Sequence, residues 1–527
     1  MTIKAITDKK ELQKYQEDES SAFLGTATEL ILPRNEQELA EMLESATAAG
    51  ILVTVSGGGT GITGSRCPIH GGQVVSTENI RTPQTECPDE YDVVSEQGYT
   101  VYLNRDAKQA IAPGSIPLSI LDGLLAPEQL LYPPDPTEMS ATLGGTVATN
   151  ASGARSFYYG PTRKWIISLR VVLPTGDILP LNAGASPSKN QQLTVPVGDQ
   201  TVTLTIPDSQ TYPMPTIKNA AGLYLKDGMD LMDLFIGSEG LLGCITDVGI
   251  KLTDRIQHTL TTVAWFDDLK QALAFVDSGV SHNSPLEFLS LELFDSHSIK
   301  FMQQKYPDIP DASAGILFEL EYDQNDDNTI YPSSVFLDQI ARELRTYEST
   351  SHWAIPYSNR EDIRLFRHTL PEMVNEYMRS RGGKLGTDMA VPHDLLSEMM
   401  DAYISVSQNE NVHYVMFGHI GDDHVHLNYL PDDEEASKRA KKAYAKLAAT
   451  AVKLGGTISA EHGVGKKQIL LNESGNMIPY LEIMFGQTGL KVIAEIKHQL
   501  DPALILNVGN MVPKELLEQV KSEKEAG

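Results

Sequence analysis

In GHIGDDHVHLNYL, residues 418–430, His419 ends an apolar strand-like run, Gly421–Asp423 can turn the chain, and His424 to Leu430 alternates as a strand. That period puts His424, His426 and Asn428 on one face. A turn between His419 and His426 lets both imidazoles converge on one ion, which a straight strand with an odd separation would forbid. Glu461 and His462 lie in GGTISAEHGVG, where flanking glycines permit close approach to a ligand. Taken singly, each histidine reads better as a hydrogen-bonded core residue than as a ligand; the chemistry resides in the set.

A second kind of chemistry is carried by glycine. Residues Gly59, Gly61 and Gly64 satisfy G-x-G-x-x-G, but a dinucleotide turn of the Rossmann type needs a helix directly afterwards, and Ser65–Gly72 contains Pro68, Gly71 and Gly72. That reading is rejected. A glycine loop between two strands still makes an anion-binding concavity from successive backbone N–H groups, so Ser56–Gly61 is a phosphate cradle. In residues 132–160, Pro133, Pro134 and Pro136 stiffen the approach, while Thr137, Thr142, Thr149, Asn150 and Ser152 supply short polar groups beside Gly144, Gly145 and Gly153. These groups suit a diphosphate and a polar ring edge. Gly237–Gly240, with Ile245 opening a strand, is the third cluster.

The elements that must position these groups follow from periodicity. Asn35–Ala49 has helical apolar spacing, ends at Gly50, and feeds a strand over Ile51–Ser56; Gln73–Ser76 is the next strand, with no helix between. The three glycine clusters all precede about residue 255. Beyond it the texture changes to helices over Ser333–Thr346, Asp362–Arg379 and Glu434–Leu454, mixed with strands at Ala314–Glu321 and His413–Phe417. A boundary near 255 follows, and 527 residues accommodate two or three packed units.

Composition narrows the class. A net charge of −28 repels nucleic-acid phosphates and anionic lipid. The N-terminus lacks an apolar core of the secretory kind, and nowhere do about 18 apolar residues run together, so a cytoplasmic chain without a transmembrane segment is expected. Cys67, Cys87 and Cys244 are too sparse for a disulfide framework or an iron–sulfur site.

Together SGGGTG, YPPDPT, ATLGGTVATNASG, GSEGLLG and the histidine motif resemble the vanillyl-alcohol-oxidase-type FAD enzymes, in their D-lactate, glycolate and D-2-hydroxyglutarate dehydrogenase branch. The resemblance runs from about Leu30 to Pro513. It implies an α+β fold: a two-subdomain FAD-binding domain of the PCMH type over 1–255, an α+β substrate cap with an antiparallel sheet over 256–470, and a C-terminal helical segment, 471–527, returning to the FAD domain.

The same resemblance implies that Gly57, Gly58, Gly59, Thr60, Gly61 and Gly64 surround the FAD pyrophosphate. Pro134, Thr137, Thr142, Gly145, Asn150, Gly153 and Ala154 would line the cofactor, with Ile245 meeting it through its backbone and Asn507 returning to the flavin. Relatives that tether FAD use a His or Cys where this chain has Thr60, and Cys67 lies too far along, so FAD is expected to be noncovalent. His419, His426 and Glu461 are implied as ligands of a divalent metal, with zinc, manganese and ferrous iron all open. His462 is implied as the base, suited to it by an imidazole's proton affinity near neutrality. Arg367 is implied as the carboxylate fork, Asn428 as a substrate hydrogen-bonder, and Lys384 as a less secure match. Relatives commonly carry Gly-Asn where this chain has Asp423-His424, leaving His424 as an added ligand, a substrate contact or a surface residue.

The expected activity is oxidation of a D-2-hydroxy acid, D-lactate first, with glycolate or D-2-hydroxyglutarate as alternatives. Electrons would leave to a quinone or an electron-transfer flavoprotein, and a homodimer is compatible with this reading. Two rivals are a non-catalytic flavin-binding electron-transfer subunit and an ether-lipid synthase, whose type carries a His-rich segment where this chain has SAEHGVG. Glu461 argues against the synthase, and the set His419, His426, Glu461 and His462 against the electron-transfer subunit.

Overall fold

Asn35 starts the first long helix, Glu36–Ala49, because its side chain accepts the Glu38 amide, and Gly50 ends it at φ 64°. A cap of this kind contributes about 1 kcal/mol. Leu39, Ala40, Leu43 and Ala46 form its buried stripe and pack with Ile31, Val53 and Val75. Those three residues belong to a parallel sheet in which Gln73–Ser76 lies between Glu29–Ile31 and Val53–Ser56. The segment from Gly57 to Gly72 leaves the C-terminal end of one strand and returns to begin its neighbour. The first glycine loop therefore hangs from the sheet's C-terminal edge.

The computed structural model describes residues 5–20, 22–281, 284, 286–322, 334–347, 360–470 and 477–526. A six-stranded antiparallel sheet runs Asp92–Glu96, Tyr99–Asn104, Gln109–Pro113, Cys244–Lys251, Ile166–Val172, Ile178–Asn182. Cys244–Lys251 is buried except at Lys251, which is why it reads as a continuous apolar run rather than an alternating one.

The second glycine block is partly helical. Leu143–Thr149 is a short helix, with Thr142 Oγ1 accepting the Gly145 amide and Asn150 ending it at φ 48°. Its Gly144 is needed for contact, since a Cβ there would stand 2.9 Å from the Gly114 carbonyl oxygen. Glycine thus serves backbone packing at a position where it mimics a loop signal.

Beyond Thr259 a second antiparallel sheet runs Thr259–Phe266, Ala314–Glu321, Phe288–Asp295, Tyr414–Gly418, His424–Tyr429, with the short Leu385–Gly386 and Met389–Ala390 both paired to the last. Phe288–Asp295 is buried at every position. Leu291 and Leu293 join Phe275 and Val276 of the helix Leu269–Val280, whereas Phe294 packs with Phe366, Leu370 and Val374 of the helix Arg360–Met378. Alternation places Glu292 on the second face, toward Arg360–Met378.

The helix expected over 434–454 occupies Glu434–Lys453, and that expected over 333–346 occupies Ser334–Thr346, Ser333 lying outside the described residues. After the helix Glu482–Leu500, the Asn507 amide donates to the Val53 carbonyl and Asn507 Oδ1 accepts the Val55 amide at 2.7 Å. The C-terminal segment is thereby stitched to the parallel sheet. Among the described residues no helix is long and apolar enough to cross a membrane.

Candidate flavin cleft and metal centre

The first glycine loop, the helix Leu143–Thr149 and the start of strand Cys244–Lys251 enclose a cleft of about 350 Å3. Its wall includes Gly57, Gly58, Gly59, Thr60, Gly61, Thr137, Thr142, Gly145, Ile245 and Asn507. Gly64, Pro134, Asn150, Gly153 and Ala154 stand outside that wall. Asn150 commits its side chain to the Arg163 amide and the Asn219 carbonyl, at 2.9 and 3.1 Å, and the Gly64 amide donates to Asp18 Oδ2 at 2.6 Å.

The glycines show what such a wall accommodates. A Cβ on Gly57 would stand 2.9 Å from Thr142 Oγ1, and one on Gly58 3.0 Å from the Ser140 carbonyl oxygen. Side chains there would crowd the cleft that bare backbone leaves open to a phosphate-bearing cofactor. Gly59 holds φ 83°, which no residue with a Cβ adopts cheaply. The residues fit FAD.

Sequence reasoning missed a tie within this wall. Buried Glu239 accepts the Val464 and Gly465 amides at 2.7 and 2.8 Å and the Ser65 hydroxyl at 2.6 Å. One carboxylate thereby joins the first glycine loop, the third glycine cluster and the segment bearing Glu461 and His462. Its visible signal was a single acidic residue in the otherwise uncharged, mostly apolar and glycine run FIGSEGLLG.

Beside Glu461, which lines the cleft, the turn between Tyr414–Gly418 and His424–Tyr429 does what its spacing required. Ile420–Asp422 forms one helical turn, Asp423 takes φ 55°, and the chain reverses. His419 Nε2 and His426 Nε2 each lie 3.3 Å from Glu461 Oε1. His424 Nδ1 is 3.8 Å from Glu461 Oε2 and fully buried, which removes the surface-residue alternative for it. One ligand atom from each of His419, His424, His426 and Glu461 falls within 4.8 Å of all the others.

The fit of a divalent ion rests on His424. Both of its ring nitrogens are buried without a hydrogen bond; Nε2 is 2.9 Å from Asp388 Oδ1, but off alignment. A buried imidazole left unpaired is costly unless something else takes its lone pair. Burial, aided by Lys218 and His426, pushes its pKa down to about 3, so the ring is neutral and able to ligate. The donor set fits a divalent metal.

Charge in the cluster is balanced by residues no local pattern reveals. Burial would raise the Glu461 carboxyl, but the Lys218 ammonium, 3.0 Å from Oε2, together with His419 holds it well below the usual range. Lys218 also lies 3.4 Å from Asp422 Oδ2. His419 Nδ1 meets Glu292 Oε1 at 2.7 Å, and although burial disfavours its charge, Glu292 and Glu461 raise its pKa to about 9. Glu292, despite burial, is held at about 2 by Arg367 and His419.

His462, one-third exposed, reaches the cleft wall beside Glu461. Asp388 lies behind it: Oδ1 is 3.2 Å from His462 Nδ1, and Oδ2 accepts the His462 amide at 2.9 Å and the Ser459 hydroxyl at 2.5 Å. Arg367 Nε donates to Glu292 Oε2 at 3.3 Å, putting the guanidinium next to the cluster. Asn428 is buried on the same strand as His426, with its Nδ2 3.5 Å from the His426 carbonyl. Lys384 is exposed just before Leu385–Gly386 and enters no contact with the cluster among the described residues.

Comparison with known proteins gives the arrangement its context. Residues 27–182 match the family described as "FAD binding domain", and residues 255–511 match "FAD linked oxidases, C-terminal domain". The chain is 25% identical to the glycolate oxidase subunit GlcD of Bacillus subtilis (strain 168) over 97% of its own length and 94% of that protein. It is 26% identical to a D-lactate dehydrogenase of Anaerostipes hadrus, with 92% and 89% covered. To the D-2-hydroxyglutarate dehydrogenase of Xanthomonas citri pv. viticola it is 25% identical, with 97% and 94% covered. Among solved structures, an alkyldihydroxyacetonephosphate synthase shares the fold with a TM-score of 0.60 at 16% identity, covering 95% of this chain and 81% of the other.

Proposed function

We propose, for a chain that belongs to the FAD-linked oxidoreductases of the D-lactate, glycolate and D-2-hydroxyglutarate dehydrogenase group, that it oxidises a D-2-hydroxy acid to the 2-oxo acid with noncovalent FAD and a divalent metal. The observation that carries this reading is the meeting of His419, His424, His426 and Glu461 beside a glycine-walled cleft that Glu461 and His462 line. D-lactate is the first substrate, with glycolate and D-2-hydroxyglutarate as alternatives. The final acceptor is a separate quinone or electron-transfer flavoprotein.

Bound FAD supplies a two-electron acceptor, and a bound divalent ion supplies Lewis acidity toward a chelating carboxylate and hydroxyl. His419, His426 and Glu461 hold the ion, with His424 as a fourth donor. Arg367 grips the substrate carboxylate, since a guanidinium fork matches its two oxygens. Asn428 donates to the bound acid. His462 takes the hydroxyl proton, with Asp388 beside its Nδ1 favouring the tautomer that leaves Nε2 free to accept.

A second reading is favoured by Lys218, whose ammonium already gives Glu461 a cation at 3.0 Å. In that reading the cluster works without an ion. The test of substrate class is anaerobic reduction of the flavin by a panel of D- and L-hydroxy acids. Bleaching by D-2-hydroxy acids supports the proposal, and a flavin that no member of the panel reduces overturns it.

A further inference from the structure

Glu292 stands in the strand Phe288–Asp295, 3% exposed, and the reaction outlined above gives its charge nothing to do. A buried carboxylate in an apolar strand is costly unless its oxygens are engaged. Both are. Oε1 accepts from His419 Nδ1 at 2.7 Å, and Oε2 accepts from Arg367 Nε at 3.3 Å. Arg367 Nη2 and His419 Nδ1 are 3.5 Å apart, a contact between two donors that the same carboxylate holds together.

We propose that Glu292 is a positioning residue that couples the metal ligand His419 to the carboxylate-binding Arg367; this rests on the roles given to those two residues above. With Nδ1–H directed at Glu292, Nε2, the nitrogen that faces Glu461 Oε1 at 3.3 Å, is the one left to give up its proton to an ion and ligate it. Glu292 thus fixes both the tautomer and the rotation of the ring. Its other oxygen holds Nε of Arg367, leaving the Nη groups to meet a substrate carboxylate, one of them already beside His419. The spacing between ion and fork is therefore set by one side chain. A 2-hydroxy acid, whose carboxylate and hydroxyl are on adjacent carbons, is what a fixed short spacing selects over a 3-hydroxy acid.

Glu292→Gln keeps the shape and removes the charge. Flavin content and circular dichroism report whether the variant folds, and Glu292→Asp, which keeps the charge but withdraws it, serves if it does not. Equilibrium dialysis against Zn2+ should show about 10- to 100-fold weaker binding than in the parent flavoprotein. Apparent KM for D-lactate should rise in the same variant, and Arg367→Met made in that background should add less than it does alone. Parent protein that, dialysed likewise against each ion, binds neither Zn2+, Mn2+ nor Fe2+ overturns the metal reading and this proposal with it. Parent protein that binds Zn2+ while Glu292→Gln and Glu292→Asp bind it equally well overturns the coupling alone.

Discussion

Asp388 embraces His462 from behind: its Oδ1 is 3.2 Å from the ring Nδ1 and its Oδ2 accepts the same residue's backbone N–H at 2.9 Å. A carboxylate so placed favours the imidazole protonated at Nδ1 and ready to accept at Nε2. We expect His462→Asn to keep FAD, metal and substrate affinity while flavin reduction slows by about 100- to 10,000-fold, the usual worth of a general base. Asp388→Asn should slow it less. Rapid-mixing measurement of anaerobic flavin reduction decides, and a parent-like rate in His462→Asn across pH would move the base elsewhere.

Arg367→Met should act on binding instead. Losing a charge-assisted pair of hydrogen bonds in a part-buried site costs on the order of 2 kcal/mol, so KM should rise about 10- to 100-fold with kcat changed less. An unchanged KM would place the substrate carboxylate against another residue.

The first glycine loop makes a prediction about the cofactor. Thr60 lacks the imidazole or thiol that a flavin tether uses, so acid precipitation should release all FAD into the supernatant. Gly59→Val should abolish flavin retention, since φ is 83° and the added Cβ would fall 1.6 Å from Arg66 Nη1. Flavin left in the pellet, or a normal flavin-to-protein ratio in folded Gly59→Val, would contradict these two claims in turn.

Stability should carry the mark of Asp247, on the central strand of the six-stranded sheet. Burial pushes its carboxyl up to about 7, against the Gln84 and Thr85 amides that pull it down. An unfolded chain releases that proton near ~3.9. The folded chain therefore binds it more tightly, and the stability it confers is full below about pH 4 and lost as pH rises to about 7. The loss is on the order of 4 kcal/mol. Unfolding midpoints of parent and Asp247→Asn should diverge across that window, with the variant relatively more stable at the upper end; parallel profiles would refute the assignment.

How legible the site was depended on whether its signal was local. The convergence of His419 and His426 could be read from a turn between two strands, because period and turn residues lie within a dozen positions. Lys218, Glu292 and Asp388 could not, since each comes alone from a distant segment and acts only through tertiary contact. Glu292 came nearest to visibility: FLSLELFD is a strand otherwise apolar enough to be buried on both faces, and a charge at its middle demands a partner. The helix Leu143–Thr149 was hidden for the opposite reason. Its glycines weaken helix propensity and imitate a loop, while the need they serve, contact with Gly114, lies outside the local sequence.

We propose that the cluster around Glu461 works with an ion. Holoenzyme stripped by a chelator, with metal content and flavin content both measured, should keep its FAD, because the glycines that wall the cleft are not among the cluster's ligands. Under anaerobic conditions D-lactate, or whichever D-2-hydroxy acid reduces the parent, should then fail to bleach the flavin. Readdition of Zn2+ or Mn2+ should restore bleaching. Reduction at the parent rate in verified metal-free protein would contradict the claim and leave Lys218 as the cation of the site.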